Sequence, residues 1–146
     1  MRKRGVWITA LLLLLTLLWM AFIFSRSLQP ADLSSEESDL VLQFCRTLHL
    51  RFSMRFVRKC AHYTEYLVLG VLLYSDTARL YRKKLWIPCG IGLAAAAVDE
   101  LLQRSTPGRS GQLTDVLLDF SGVLSGCLLC LAALWLYRHR RRKRKS

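Results

Sequence analysis

Lys59, His62 and Glu65 recur at three-residue spacing where one apolar stretch begins; Asp99, Glu100 and Gln103 end another; Asp115 and Asp119 open a third. A histidine beside carboxylates can accept and return a proton. Lysine and arginine can hold an anionic group. Aspartates can share a divalent ion, and Asp99 with Asp115 is one pairing that could do so. All of these residues lie in or beside segments apolar enough to enter a bilayer. A charge in hydrocarbon costs at least a few kcal/mol and persists only where it is paired, hydrated or used. Polar residues at one level of several such segments therefore point to a shared pocket.

The elements that must position them are helices. The chain has 146 residues, 53% of them hydrophobic, which fits a single domain over 1–146. The run from Val6 to Phe24 has 19 residues without a charge, enough to cross a hydrocarbon core of about 30 Å at about 1.5 Å per residue. Three weaker runs follow. The expected spans are about 6–24, 57–75, 85–103 and 114–137. The fold expected is an all-α integral membrane protein with four transmembrane helices. A further helix, beginning near Ser34 and carrying Leu40, Val41, Phe44, Leu48 and Phe52 at helical spacing, would lie in the outer interface or pack on the bundle.

A net charge of +12 could suggest nucleic acid, but the basic residues flank the spans. Arg2, Lys3 and Arg4, then Arg79, Arg82, Lys83 and Lys84, then the run from Arg138 to Lys145 all fall on one side if the N-terminus is inside. Both termini are then cytoplasmic, 138–146 is a basic tail held against anionic lipid, and no nucleic-acid partner is expected. The first run is longer than a usual signal h-region and no A-x-A site follows it, so an uncleaved span is expected.

Helical rise places the polar residues at a common depth. Counted from the outer boundary, His62 lies roughly 7 Å in, Glu65 roughly 12 Å, Asp99 and Glu100 roughly 6 to 8 Å, and Asp119 roughly 9 Å. Lys59, His62 and Tyr66 share a stripe, as do Asp115, Asp119, Gly122 and Gly126, so the carboxylates should point into the bundle. Arg58, Lys59 and Arg109 face five carboxylates, Glu65, Asp99, Glu100, Asp115 and Asp119. A bound cation would offset that acidic excess. There is no HExxH spacing, so no dedicated metal set is expected. The same residues could instead be a structural ion-pair network pinning the helices together.

Small residues mark close packing: Gly90, Gly92 and Ala94 to Ala97 in the third span, and Gly122 with Gly126 at GxxxG spacing in the fourth. The latter pair also allows a homodimer. Tyr63 and Tyr66 read as packing residues. Cys127 and Cys130 have CxxC spacing, but no histidine or further cysteine stands near them in sequence, and they read as small packing residues.

Phe24-Ser25 with Gln29, then Lys59-x-x-His62-x-x-Glu65-Tyr66-x-x-Leu69-Gly70, Asp99-Glu100-x-x-Gln103, Pro107-Gly108-Arg109 and Asp115-x-x-x-Asp119-x-x-Gly122 together resemble the signature of the VanZ-like membrane proteins. The resemblance runs from about residue 7 to 137. One departure is Ser105-Thr106, where the family often has an aromatic residue before Pro-Gly-Arg. The resemblance implies a multi-pass cell-membrane protein of the kind found in many Gram-positive bacteria. It also implies an association with resistance to the glycopeptide teicoplanin.

Two functions from different classes fit these residues. One is a binding protein that lowers the action of a lipid-anchored glycopeptide or handles a lipid-linked cell-wall precursor in the outer leaflet. Lys59, Asp99, Glu100, Gln103, Arg109 and Asp115 would then contact the ligand. The other is an intramembrane enzyme with His62 as acid or base, oriented by Glu65 or Asp119. The sequence names no cofactor. A purely structural membrane partner is the third reading.

Overall fold

The computed structural model describes residues 2–30, 42–43, 47, 52–80, 84–109 and 111–144. Among them are four helices, α1 (Arg2–Ser27), α2 (Met54–Leu80), α3 (Trp86–Arg104) and α4 (Leu113–Lys143), and no strand. The helix expected between α1 and α2 falls mostly outside the described residues. Its last part is different from the expectation. Phe52 is not helical, and Ser53 caps α2, its Oγ accepting from the Phe56 N–H at 3.2 Å, so α2 begins at Met54, ahead of the expected start at 57.

Two further boundaries move. The loop expected from Asp76 is still helix, and α2 runs on to Leu80. The polar residues there satisfy themselves within the bundle. Ser75 and Thr77 donate back to the Val71 and Leu73 carbonyls at 2.7 and 2.8 Å, and buried Asp76 accepts from Thr16 of α1 at 2.7 Å. Hydropathy marks where apolar character ends, but helical hydrogen bonding continues past it. Likewise α4 continues through the basic tail to Lys143. Arginine and lysine are good helix formers and suit a helix C-terminus, where the macrodipole is negative.

The core is centred on α2 against α4, the most extensive pairing, with α1 and α3 flanking it. Glycine makes that pairing close. A Cβ on Gly122 would lie 2.6 Å from the Tyr63 carbonyl oxygen, Gly126 abuts the Leu67 carbonyl, and Gly70 abuts Val123. Gly122 and Gly126 therefore meet α2 of the same chain, and Gly70 of α2 meets α4. Tyr63 donates to Ser125 at 2.8 Å across the same seam. Tyr66, Leu69, Val123 and Cys127 fill the interior, with the Cys127 thiol 3.5 Å from the Gly70 carbonyl oxygen, in line with a packing role.

The polarity is arranged inside out. Asp99, Glu100, Gln103 and Asp119 are buried, while Trp7, Leu17, Leu117, Leu129 and Trp135 are exposed. Soluble monomers seldom expose apolar surface on this scale. By length and composition, Val6–Ser27 and Leu113–Lys143 are apolar enough to cross a membrane.

Candidate functional site

The end of α1, the start of α2, the end of α3 and the start of α4 meet at one end of the bundle. Ser27, last in α1, is fully buried there. Its backbone carbonyl accepts from the Thr106 hydroxyl at 3.1 Å. Thr106 thus anchors the α3–α4 loop to α1. The loop then turns through Gly108, whose φ of 75° is a left-handed conformation that glycine adopts freely. That turn delivers Arg109 to the site.

At the centre, His62 Nδ1 lies 4.0 Å from Asp99 Oδ2 and 4.0 Å from Asp119 Oδ1. Three helices supply the three groups. Asp99 is 0% exposed and Asp119 is 1% exposed. Gln103, one turn beyond Asp99 on α3, donates from Nε2 to Asp99 Oδ2 at 3.1 Å and lies 3.4 Å from Ser27 Oγ. Asp99 Oδ1, Asp119 Oδ1 and His62 Nδ1 are buried atoms with no hydrogen-bond partner among the described residues. These three side chains are the ones whose donor atoms could hold a metal, all lying within 4.8 Å of one another.

Above this floor is a cavity of about 420 Å³. Arg55, Arg58, Lys59 and Arg109 form its basic side, and His62, Gln103, Asp115 and Asp119 its other polar walls. Lys59 Nζ is 3.0 Å from Asp115 Oδ1. Arg109 Nε and Nη1 are buried without a hydrogen-bond partner. Burial, then repulsion from Arg58, lowers the pKa of this loop guanidinium from its ordinary value. An anion entering the cavity would relieve both costs.

A family model described as VanZ/LLP1 matches residues 12–136, most of the chain and every site residue just described. The chain belongs to the VanZ/LLP1 family. No curated protein and no solved structure matches it.

Within this VanZ/LLP1 chain, the polar residues singled out in the sequence divide into two groups. Lys59, His62, Gln103, Arg109, Asp115 and Asp119 line the cavity, with Asp99 against His62 at its floor. Glu65 and Glu100 do not line it. Glu65 turns toward α1, where Arg26 Nε is 3.9 Å from its Oε1 and Trp19 Nε1 donates to its backbone carbonyl at 2.9 Å. Glu100 faces the α3–α4 loop, close enough that a Cβ on Gly111 would fall 2.6 Å from its Oε1. Sequence reasoning missed Arg26 and Trp19 as partners of α2, and Arg55 as a cavity residue. Arg26 sits four residues before Pro30 at the end of an apolar run, where a basic residue reads as a boundary marker. Only the fold brings it to Glu65.

Proposed function

We propose that this VanZ/LLP1 protein crosses the membrane four times and uses its cavity, in the outer leaflet, to bind the anionic head group of a lipid-linked ligand. A teicoplanin-type lipoglycopeptide or a lipid-linked cell-wall precursor has the required combination of acyl tail and polar head. The observation that carries this reading is the Arg109 guanidinium, buried at the cavity wall with Nε and Nη1 unpartnered and flanked by Arg55, Arg58 and Lys59. A fixed cation cluster opposite buried carboxylates suits a ligand with an anionic group and neighbouring hydroxyls or amides.

Four crossings fit this reading. α2 and α3 fall short on apolar composition because they carry Lys59, His62, Glu65, Asp99 and Glu100. These face the bundle or its cavity and not the surroundings that α1 and α4 meet. The basic clusters at the opposite end would place the cavity outside.

The test is teicoplanin susceptibility of a sensitive Gram-positive host expressing the wild type, Arg109→Ala or Asp119→Asn at equal membrane levels. Protection by the wild type alone supports the reading. Full protection by equally abundant variants sinks the cavity as its cause. If the wild type gives none, lipids retained by the purified protein identify the other occupant class by mass spectrometry.

A second reading rests on His62 standing 4.0 Å from two carboxylates. An enzyme using that imidazole as acid or base would be silenced by His62→Gln and would keep partial activity in Lys59→Gln.

A further inference from the structure

We propose that His62, Asp99 and Asp119 bind a divalent transition-metal ion, of the zinc or manganese type, at the floor of the cavity. The proposal deepens the head-group reading and rests on it for what the ion would meet, not for whether the ion binds.

The geometry is that of a site closed by folding. Metal–ligand distances near 2.0–2.2 Å put the ligand atoms of a tetrahedral ion about 3.4 Å apart. Both His62–carboxylate separations are 4.0 Å, and all three donor atoms fall within 4.8 Å. Side-chain shifts of about half an ångström close the set. The donors come from α2, α3 and α4, which is why no HExxH spacing announces them.

Three independent observations point to a ligand here. First, Asp119 is 1% exposed and its Oδ1, aimed at His62, has no hydrogen-bond partner among the described residues. Asp99 Oδ1 and His62 Nδ1 are in the same condition. A native interior seldom leaves three such atoms together. Second, no lysine or arginine among the described residues lies within ion-pair distance of Asp99 or Asp119, since Lys59 is taken by Asp115 at 3.0 Å. A divalent cation would balance the two carboxylates while leaving His62 neutral, with a lone pair to donate. Third, Asp99 is already oriented by the Gln103 amide at 3.1 Å, and carboxylates that bind metals are commonly held by such a hydrogen bond.

The donor set selects among ions. One imidazole nitrogen and two carboxylate oxygens suit borderline first-row metals. Calcium would want six to eight oxygens, and a copper(I) site would want thiolates. Three protein ligands leave a coordination position open, as in sites that exchange water or ligand. His62, 21% exposed, marks the side from which the cavity reaches the ion.

The experiment uses the full chain purified in detergent, stripped with chelator, loaded separately with Zn²⁺, Mn²⁺ or Co²⁺ and desalted. Bound metal is counted by mass spectrometry. About one ion per chain is expected for the wild type. At least a tenfold loss of affinity is expected for His62→Gln and Asp119→Asn, with folding checked by circular dichroism, and a 10- to 100-fold loss for Gln103→Leu. The wild type with Co²⁺ should show visible absorption unlike that of the aqueous ion, which answers the question even if Asp119→Asn does not fold. No stoichiometric ion with any of the three metals overturns the proposal. So does equal binding by the wild type and a folded His62→Gln. Lys59→Gln should lose protection against teicoplanin but keep its ion. Protection lost with metal kept sustains both readings, and metal bound by a wild type that neither protects nor retains an anionic lipid sinks the head-group reading alone.

Discussion

At the scale of single residues, the site is a set of polar atoms whose partners the fold withholds. Arg109 is the clearest case, because two of its guanidinium nitrogens are buried and unpaired while it lines a cavity open to a ligand. Hydrogen bonds to a charged group contribute about 1.5–3 kcal/mol. Arg109→Ala should therefore weaken retention of an anionic lipid by roughly tenfold to a hundredfold, read as lipid co-purifying with the protein. Arg109→Lys should recover only part of it, since an ammonium offers a point charge and no fork. Gly108 controls the same group from the backbone. Its φ of 75° costs a residue with a Cβ about 1–2 kcal/mol. Gly108→Ala should reproduce a diluted Arg109 defect with helical content unchanged by circular dichroism. Equal lipid retention in Gly108→Ala and wild type would mean that the turn does not set the guanidinium.

At the scale of elements, the seam between α2 and α4 holds the site together. Gly70, Gly122 and Gly126 let the two backbones touch, and His62 and Asp119 stand on the same two helices about one turn from Gly122. Gly126→Leu forces a side chain into the Leu67 carbonyl. Overpacking of this kind costs typically 1–3 kcal/mol, sometimes more, so the variant should unfold at lower temperature in detergent and lose metal and lipid together. Thr16→Val offers a contrast far from the site. It removes the hydrogen bond to Asp76, an interaction worth about 0.6–1.7 kcal/mol between membrane helices, and should lower stability while leaving ligand retention intact. The difference between these elements explains what could be read in the sequence. GxxxG spacing and the Asp115–Asp119–Gly122–Gly126 stripe reveal a packed helix face directly, because helical periodicity is local. Which helix fills that face is not local, and the seam belongs to α2 of the same chain. Lys59, His62, Asp115 and Asp119 of the cavity wall were legible for a like reason, since charge inside an apolar run carries its own cost, whereas Arg55 was not. Arg26–Glu65 and the turn of Glu100 toward Gly111 depend on where α1 and the α3–α4 loop settle, and no spacing encodes that. Helix ends were legible only as changes of hydropathy, which is why α2 and α4 outrun their expected limits at Asp76 and Arg138.

At the scale of the whole molecule, the distribution of charge fixes how the bundle should sit. Arg138 to Lys143 end α4 opposite the cavity, and Lys84 lies at that same end, between α2 and α3. The cavity end carries its own cations, Arg55, Arg58, Lys59 and Arg109, but these surround buried carboxylates. Among the described residues, the acid at the opposite end is Asp76, which is buried against Thr16, so the basic residues there stand largely unopposed and that end should stay in the cytoplasm. Exposed positions at each end make this measurable. In a Cys45→Ser, Cys60→Ser background, since Cys60 is itself exposed near the cavity and Cys45 stands in the segment between α1 and α2, Ser105→Cys tests the cavity end and Lys84→Cys the other. An impermeant maleimide should label Ser105→Cys in intact cells and Lys84→Cys only after lysis. The reverse pattern would put the cavity inside, and a lipoglycopeptide arriving from outside could not reach it. Labelling of both from outside would mean that α2 and α3 do not cross.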